Sequence, residues 1–186
     1  VLLSLLAISC GGSNETNRTV SKTDPASEKP VPQMSTSGQT GANPNRITWH
    51  DYDEGMRILV GSAKYGIIYF DTTDCGPCMW LEDSLYSDPR IIEAMNKDFI
   101  AIKVQSARAD TVHYQGRAFT ESYLRKLFYL AGYPTTFFVE GRRNKYIFAQ
   151  PSIIYPDRML DYMGYLTSKA YLSTDLEEYL ENKGRK

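Results

Sequence analysis

From Ile47 onward, apolar and polar positions follow the periods of packed secondary structure. Trp49, Tyr52, Met56, Leu59, Val60 and Ala63 recur at helical spacing, with Asp51, Asp53, Glu54 and Arg57 between them, which predicts an amphipathic helix. "GIIYF" (66–70) is a short β-branched and aromatic run, expected to be a buried strand. A helix is expected to follow across "CMWLEDSLY". Another begins in "SDPRIIEAMNKDF", where Ser87 or Asp88 can cap it and Pro89 suits the first turn. "IAIKV" (100–104) predicts the next strand. Residues 105–119 are polar and irregular, with a small hairpin expected at "TVHYQGRAF". "TESYLRKLFYLA" (120–131) reads as a helix capped by Thr120. "TTFFVE" and "KYIFAQ" flank the turn "GRRN" and predict an antiparallel hairpin. "PDRMLDYMGYLTSKAY" (156–171) is amphipathic through Met159, Leu160, Met163 and Leu166. A last helix is expected from Thr174, with Glu177 three residues on in a capping-box pattern. The order α, β–α, β, α, β–β, α predicts an α/β fold, a central mixed sheet flanked by helices, with an extra C-terminal helix.

The first 45 residues differ. "GGSNETNRTVSKTDPASEKPVPQMSTSGQTGANPN" (11–45) has no hydrophobic period and is dominated by Gly, Ser, Thr, Asn and Pro. Such a segment cannot bury enough apolar surface to offset its ordering entropy, so a disordered tether is expected, spanning roughly 30–35 Å on average. Before it, "VLLSLLAISC" is too short for a membrane-spanning helix and reads as the apolar region of a secretory signal. "LAISC" resembles the lipobox of bacterial lipoproteins, which implies cleavage before Cys10 and acylation of that cysteine. The chain has three cysteines, so lipid on Cys10 leaves Cys75 and Cys78 as the remaining pair. The expected organisation is a signal peptide and lipobox at 1–10, a tether at 11–45 and a globular domain at 46–186. The formal net charge of −1 and pI of about 6.2 show no basic surplus for a nucleic-acid partner.

The candidate chemistry lies in "FDTTDCGPCMWLE" (70–82). At a helix N-terminus, Cys75 faces unpaired N–H groups and the positive end of the helix dipole, which favour a thiolate. Cys78 lies one turn later on the same face, placed to attack a mixed disulfide formed on Cys75. Gly76 allows close approach of a substrate, and Pro77 fits the first helical turn. Cys75 is expected to be partly exposed and Cys78 more buried. Half of a metal site and a static bridge are the other readings. Zinc usually takes four ligands, and beyond the two thiols the domain offers only the scattered His50 and His113. A bridge over two residues closes a very small loop and contributes little stability.

"CGPC" after a strand, with "GYPTT" (132–136) before a later one, resembles the thioredoxin superfamily over roughly residues 47 to 171. The resemblance implies a thioredoxin fold and a cis Pro134 facing the cysteines. It implies that Tyr133 offers backbone groups to an extended substrate strand. "LEDSLYSDPRIIEAMNKDFIAIKV" and the segment before "TESYLRKLFYLAGYPTTFF" are similar to periplasmic thioredoxin-related proteins, the branch associated with sulfur-oxidation and disulfide-reducing systems. Two positions depart from cytosolic thioredoxins. Asp74 stands where they carry tryptophan, and Tyr69 stands where they bury the aspartate thought to move the second cysteine's proton. Tyr69, Asp71, Glu82 or a water are candidates for that task. Carboxylates at Asp71, Asp74, Glu82 and Asp83 raise a nearby thiol's pKa where they face it. Met79 and Trp80 are expected to flank the site or pack beneath it.

The expected function is thiol–disulfide exchange without a cofactor or metal. The reading is a membrane-tethered reductase of disulfides in exported proteins, re-reduced by a membrane electron donor and acting as a monomer. An oxidase or isomerase, or a non-catalytic module binding peptides or thiophilic metal ions, are the alternatives. Gly11, rather than an aspartate that retains lipoproteins at the inner membrane, points to the outer membrane of the cell envelope.

Overall fold

The computed structural model describes residues 43–184, so the signal, the lipidation of Cys10 and nearly all of the tether lie outside the described residues. The last three residues assigned to the tether belong to the domain. Asn43 and Asn45 form a turn in which Arg46 N–H donates to the Asn43 carbonyl at 3.1 Å.

The chain then forms β1 (Trp49–His50), α1 (Tyr52–Val60), β2 (Tyr65–Asp71), α2 (Gly76–Trp80), α3 (Pro89–Asp98) and β3 (Phe99–Gln105). There follow β4 (Thr111–Tyr114), β5 (Arg117–Thr120), α4 (Glu121–Leu127), β6 (Thr135–Glu140), β7 (Lys145–Pro151), α5 (Pro156–Thr167) and α6 (Leu176–Gly184). The main sheet has five strands in the order β1-β3-β2-β6-β7, and β4 and β5 pair as a separate hairpin. β2 runs parallel to β3, with Tyr69 opposite Lys103, and antiparallel to β6, with Phe70 opposite Thr135. The sheet is mixed, and helices cover both faces.

Alternation along β2 separates two cores. Ile67 and Tyr69 pack with Cys78, Leu81, Leu85, Ile91, Met95 and Met159, the side of α2, α3 and α5. Ile68 and Phe70 pack with Tyr52, Leu59, Leu124 and Phe137, the side of α1 and α4.

Several boundaries differ from the sequence expectation. Trp49 and His50 are not helical; they pair with Ala101 and Ile102 of β3. The helix starts after Asp51, whose carboxylate accepts the Glu54 N–H at 2.9 Å. The helix after the cysteines changes character partway. Leu81–Leu85 is a π-helical turn, closed by the Tyr86 N–H donating to the Leu81 carbonyl at 2.9 Å. Asp88 rather than Ser87 caps α3, through the Arg90 N–H at 2.9 Å. Thr120 precedes α4 without a side-chain cap bond, its hydroxyl meeting that of Ser122 at 3.0 Å instead. That helix ends at Leu127, and Tyr129 is left-handed at φ 51°. The capping expected of Thr174 and Glu177 is shifted by one: Asp175 accepts the Glu178 N–H at 2.8 Å.

Candidate active site

The end of β2 delivers Asp71 into a short loop, Cys75 caps α2, and the two cysteines form a disulfide. Asp74 brings the chain round with φ 57°, a left-handed conformation that aspartate tolerates better than a bulky residue, and it is exposed. The Cys75 sulfur accepts the Cys78 N–H at 3.2 Å, so the helix N-terminus does meet the first sulfur. Pro77 lies in the first turn, and nothing lies within contact of a Cβ built on Gly76. Cys75 is 9% exposed and Cys78 3%. The order is the expected one, but both residues are buried, so the partial exposure expected of Cys75 is not met in the disulfide form, where its sulfur is turned to Cys78.

The second motif reaches the same end of the sheet. The Tyr133–Pro134 peptide is cis. Thr135 sits opposite Phe70, so Pro134 lies level with the last residue of β2. Thr135 Oγ1 donates to the Gly132 carbonyl at 2.8 Å, and Ser152 N–H donates to the Pro134 carbonyl at 2.8 Å. Arg125 lies over the Tyr133 ring at 5.7 Å.

Beneath the pair lies a cluster of charge and phenol. Tyr69 is fully buried, and its hydroxyl donates to the Cys78 carbonyl at 3.3 Å. Burial first, then the neighbouring Tyr86, Asp71 and Glu82, hold this phenol far above the ordinary tyrosine range, so it stays neutral. Asp71, two residues on and on the same face, is 3% exposed. Its Oδ2 pairs with Lys103 Nζ at 3.1 Å, while its Oδ1 is buried without a hydrogen-bond partner. Burial pushes the Asp71 carboxyl up; Lys103 opposes the rise without cancelling it, and the Glu82 charge adds to it. Lys103 also donates to Glu82 Oε1 at 2.6 Å. Burial alone would lower this ammonium's pKa, but Glu82 and Asp71 outweigh it and hold it above the usual lysine value.

Of the relay and pKa-tuning candidates, the structure therefore gathers Tyr69, Asp71 and Glu82 around one cation and leaves Asp74 in solvent. Lys103 was not singled out from the sequence; its signal was a lone charge inside the apolar run "IAIKV". An open cleft of about 740 Å³, walled by Trp49, Tyr69 and Tyr86, reaches Glu82 and Lys103 from solvent. His50 and His113 pair instead with carboxylates of α1, at 3.2 Å to Glu54 and 2.7 Å to Asp53. Met79 is 62% exposed beside the pair, and Trp80 meets the exposed Tyr155 edge-on at 5.3 Å. Tyr155 was also missed, because it lies far along the chain at the foot of α5.

The arrangement can carry out thiol–disulfide exchange. Two sulfurs in bonding reach at a helix N-terminus can accept or deliver an electron pair through a mixed disulfide.

A family model for a thioredoxin-like domain matches residues 52–167. Among solved structures, a thioredoxin-fold protein from Helicobacter pylori is 16% identical with a TM-score of 0.55, over 64% of this chain and 80% of that one. A thioredoxin from Thermus thermophilus is 16% identical with a TM-score of 0.54, over 66% of this chain and 88% of that one. At such identity the likeness is one of fold. An uncharacterized protein of Archaeoglobus fulgidus is 25% identical over 63 residues, 34% of this chain and 50% of that protein. The chain thus spans about half the length of the curated relative it matches.

Proposed function

We propose that this chain, which belongs to the thioredoxin-like family, is a membrane-tethered reductase of disulfides in exported proteins. The observation that carries the redox part is the Cys75–Cys78 disulfide at the start of α2, with the Cys75 sulfur accepting the Cys78 N–H. In the reduced protein the Cys75 thiolate attacks one sulfur of a substrate disulfide. A Cys75–substrate bond forms and the other substrate sulfur leaves as a thiolate. Cys78 then attacks Cys75, restoring the internal disulfide and releasing the second substrate thiolate. Two electrons pass to the substrate and two protons follow them.

Asp71 accepts the proton that Cys78 must lose, directly or through a water. Its raised affinity for a proton and its unpartnered Oδ1 suit that task, and Lys103 moderates the rise. Tyr69, neutral and bonded to the Cys78 carbonyl, positions the second cysteine rather than titrating. Glu82, half exposed, holds the solvent side of Lys103. Tyr133 and Pro134 receive the substrate strand beside Cys75 and Gly76.

The tether, export and envelope location rest on "VLLSLLAISC" and the polar stretch after it. Lipid on Cys10 holds the domain to a membrane, with the outer membrane favoured by Gly11, and a membrane donor returns electrons to the pair. The test is a trap. Cys78→Ser in the source cell accumulates mixed disulfides through Cys75 with envelope proteins, and Cys75→Ser/Cys78→Ser does not. An empty trap under reducing and oxidising growth overturns the reading.

A further inference from the structure

We propose that the pole of the domain opposite the cysteine pair docks on an anionic phospholipid surface. This deepens the membrane part of the proposed function. The test below needs no acylation of Cys10, so its failure and the failure of that part are distinguishable.

The two central strands define the poles. β2 ends at Asp71, ahead of Cys75, and begins at Tyr65, just after Lys64. β6 begins after the cis Pro134 and ends at Glu140, ahead of Gly141, Arg142 and Arg143. Tyr65 pairs with Glu140, so both strands place redox motifs at one end and basic residues at the other. Seven residues of strand separate them by roughly 20 Å.

At the far pole, Arg142, Arg143 and Lys169 line a pocket of about 230 Å³ with Tyr65, Tyr171 and Leu172. Lys145 opens β7 at the same turn, opposite Glu140. Glu140 neutralises Arg143 at 3.3 Å. Arg142, Lys145 and Lys169 are exposed and form no ion pair among the described residues. Lys64 Nζ donates to the Asn96 carbonyl at 3.0 Å rather than to a carboxylate. Lys97 and Asp98 beside it offset each other. Asp175 shares a neighbouring pocket with Lys145, Tyr171 and Leu172 and offsets part of this charge, so the surplus rests on Arg142 and Lys169.

A further observation favours a lipid surface over a dissolved anion. Leu172, 59% exposed, stands among the cations, and the partly buried Tyr171 is beside it. An apolar side chain and tyrosines next to basic residues match the headgroup boundary, where each finds its own layer. Docked that way, the cysteines face away from the lipid, toward protein substrates.

The experiment is co-sedimentation of the full chain carrying Cys10→Ser with vesicles of phosphatidylcholine alone or mixed with phosphatidylglycerol. The expected result is stronger partitioning to the anionic vesicles, lost in high salt. Arg142→Gln/Lys169→Gln lowers it about 25-fold, at roughly fivefold for each cation near an anionic surface. Arg57→Gln, on α1, leaves it unchanged, and thiol exchange proceeds at the parent rate in both variants. Equal partitioning to neutral and anionic vesicles overturns the proposal, as does an unaltered double variant. Release by inorganic phosphate, but not by chloride at matched ionic strength, also overturns it in favour of a free-phosphate site.

Discussion

Replacing Lys103 with methionine probes the electrostatics beneath the disulfide. The methionine keeps most of the apolar stem, so packing against Tyr69 persists while the cation is lost. Removing one partner of a buried pair costs about 3–5 kcal/mol. Lys103 is 30% exposed and Glu82 44%, so solvent screening reduces this to about 2–3 kcal/mol at neutral pH. A ceiling follows independently. A stranded Asp71 can take a proton, and relative to an unfolded pKa of about 3.9 that costs at most about 4 kcal/mol at pH 7. The same arithmetic leaves about 0.8 kcal/mol at pH 4.5.

The sign follows from the raised Asp71 pKa. A carboxyl whose folded pKa exceeds its unfolded value favours the folded state most below the unfolded value. That advantage is lost as pH rises through the folded pKa. Lys103→Met moves the folded value further up and extends the loss to higher pH. Urea unfolding of the oxidised protein at pH 4.5 and 7.0 measures the effect. The variant is expected to trail the parent by about 2–3 kcal/mol at pH 7.0 and by under about 1 kcal/mol at pH 4.5. An equal deficit at both values refutes the reasoning, because it assigns the loss to packing and leaves Asp71 uncoupled from Lys103.

Two further outcomes follow from the same contacts. Tyr69→Phe removes the bond to the Cys78 carbonyl and should lower stability by about 1 kcal/mol in thermal or urea unfolding, without adding a titration to the pH profile of exchange. Gly141→Ala places a Cβ against the Lys64 carbonyl and the Leu59 backbone, neither of which can swing aside. It should cost about 1–3 kcal/mol or more, read as a lowered urea midpoint with an unchanged slope.

The sequence made the frame legible wherever apolar runs were long. β2, β3, β6 and α5 each carry their own period, and "CGPC" and "GYPTT" marked both halves of the site. Trp49 and His50 were misplaced because a two-residue strand has no period of its own and its apolar residue continued the spacing of α1. The π turn was hidden because a helix widened by one residue keeps an ordinary helical pattern over so short a span. Lys103 and Tyr155 escaped because their roles exist only across strands and between distant elements: one meets Asp71 and Glu82, the other meets Trp80. The relay position showed the converse. The sequence offered several carboxylates near the cysteines, and only the fold divided the buried Asp71 from the exposed Asp74.

The central claim is that the Cys75–Cys78 pair gives electrons to protein disulfides. Equilibrating the protein with defined thiol buffers and reading the reduced fraction measures its reduction potential directly. A value near that of thioredoxin, about −270 mV, is the result the account predicts. A value near that of the strong oxidant DsbA, about −120 mV, contradicts it and makes the protein a disulfide donor.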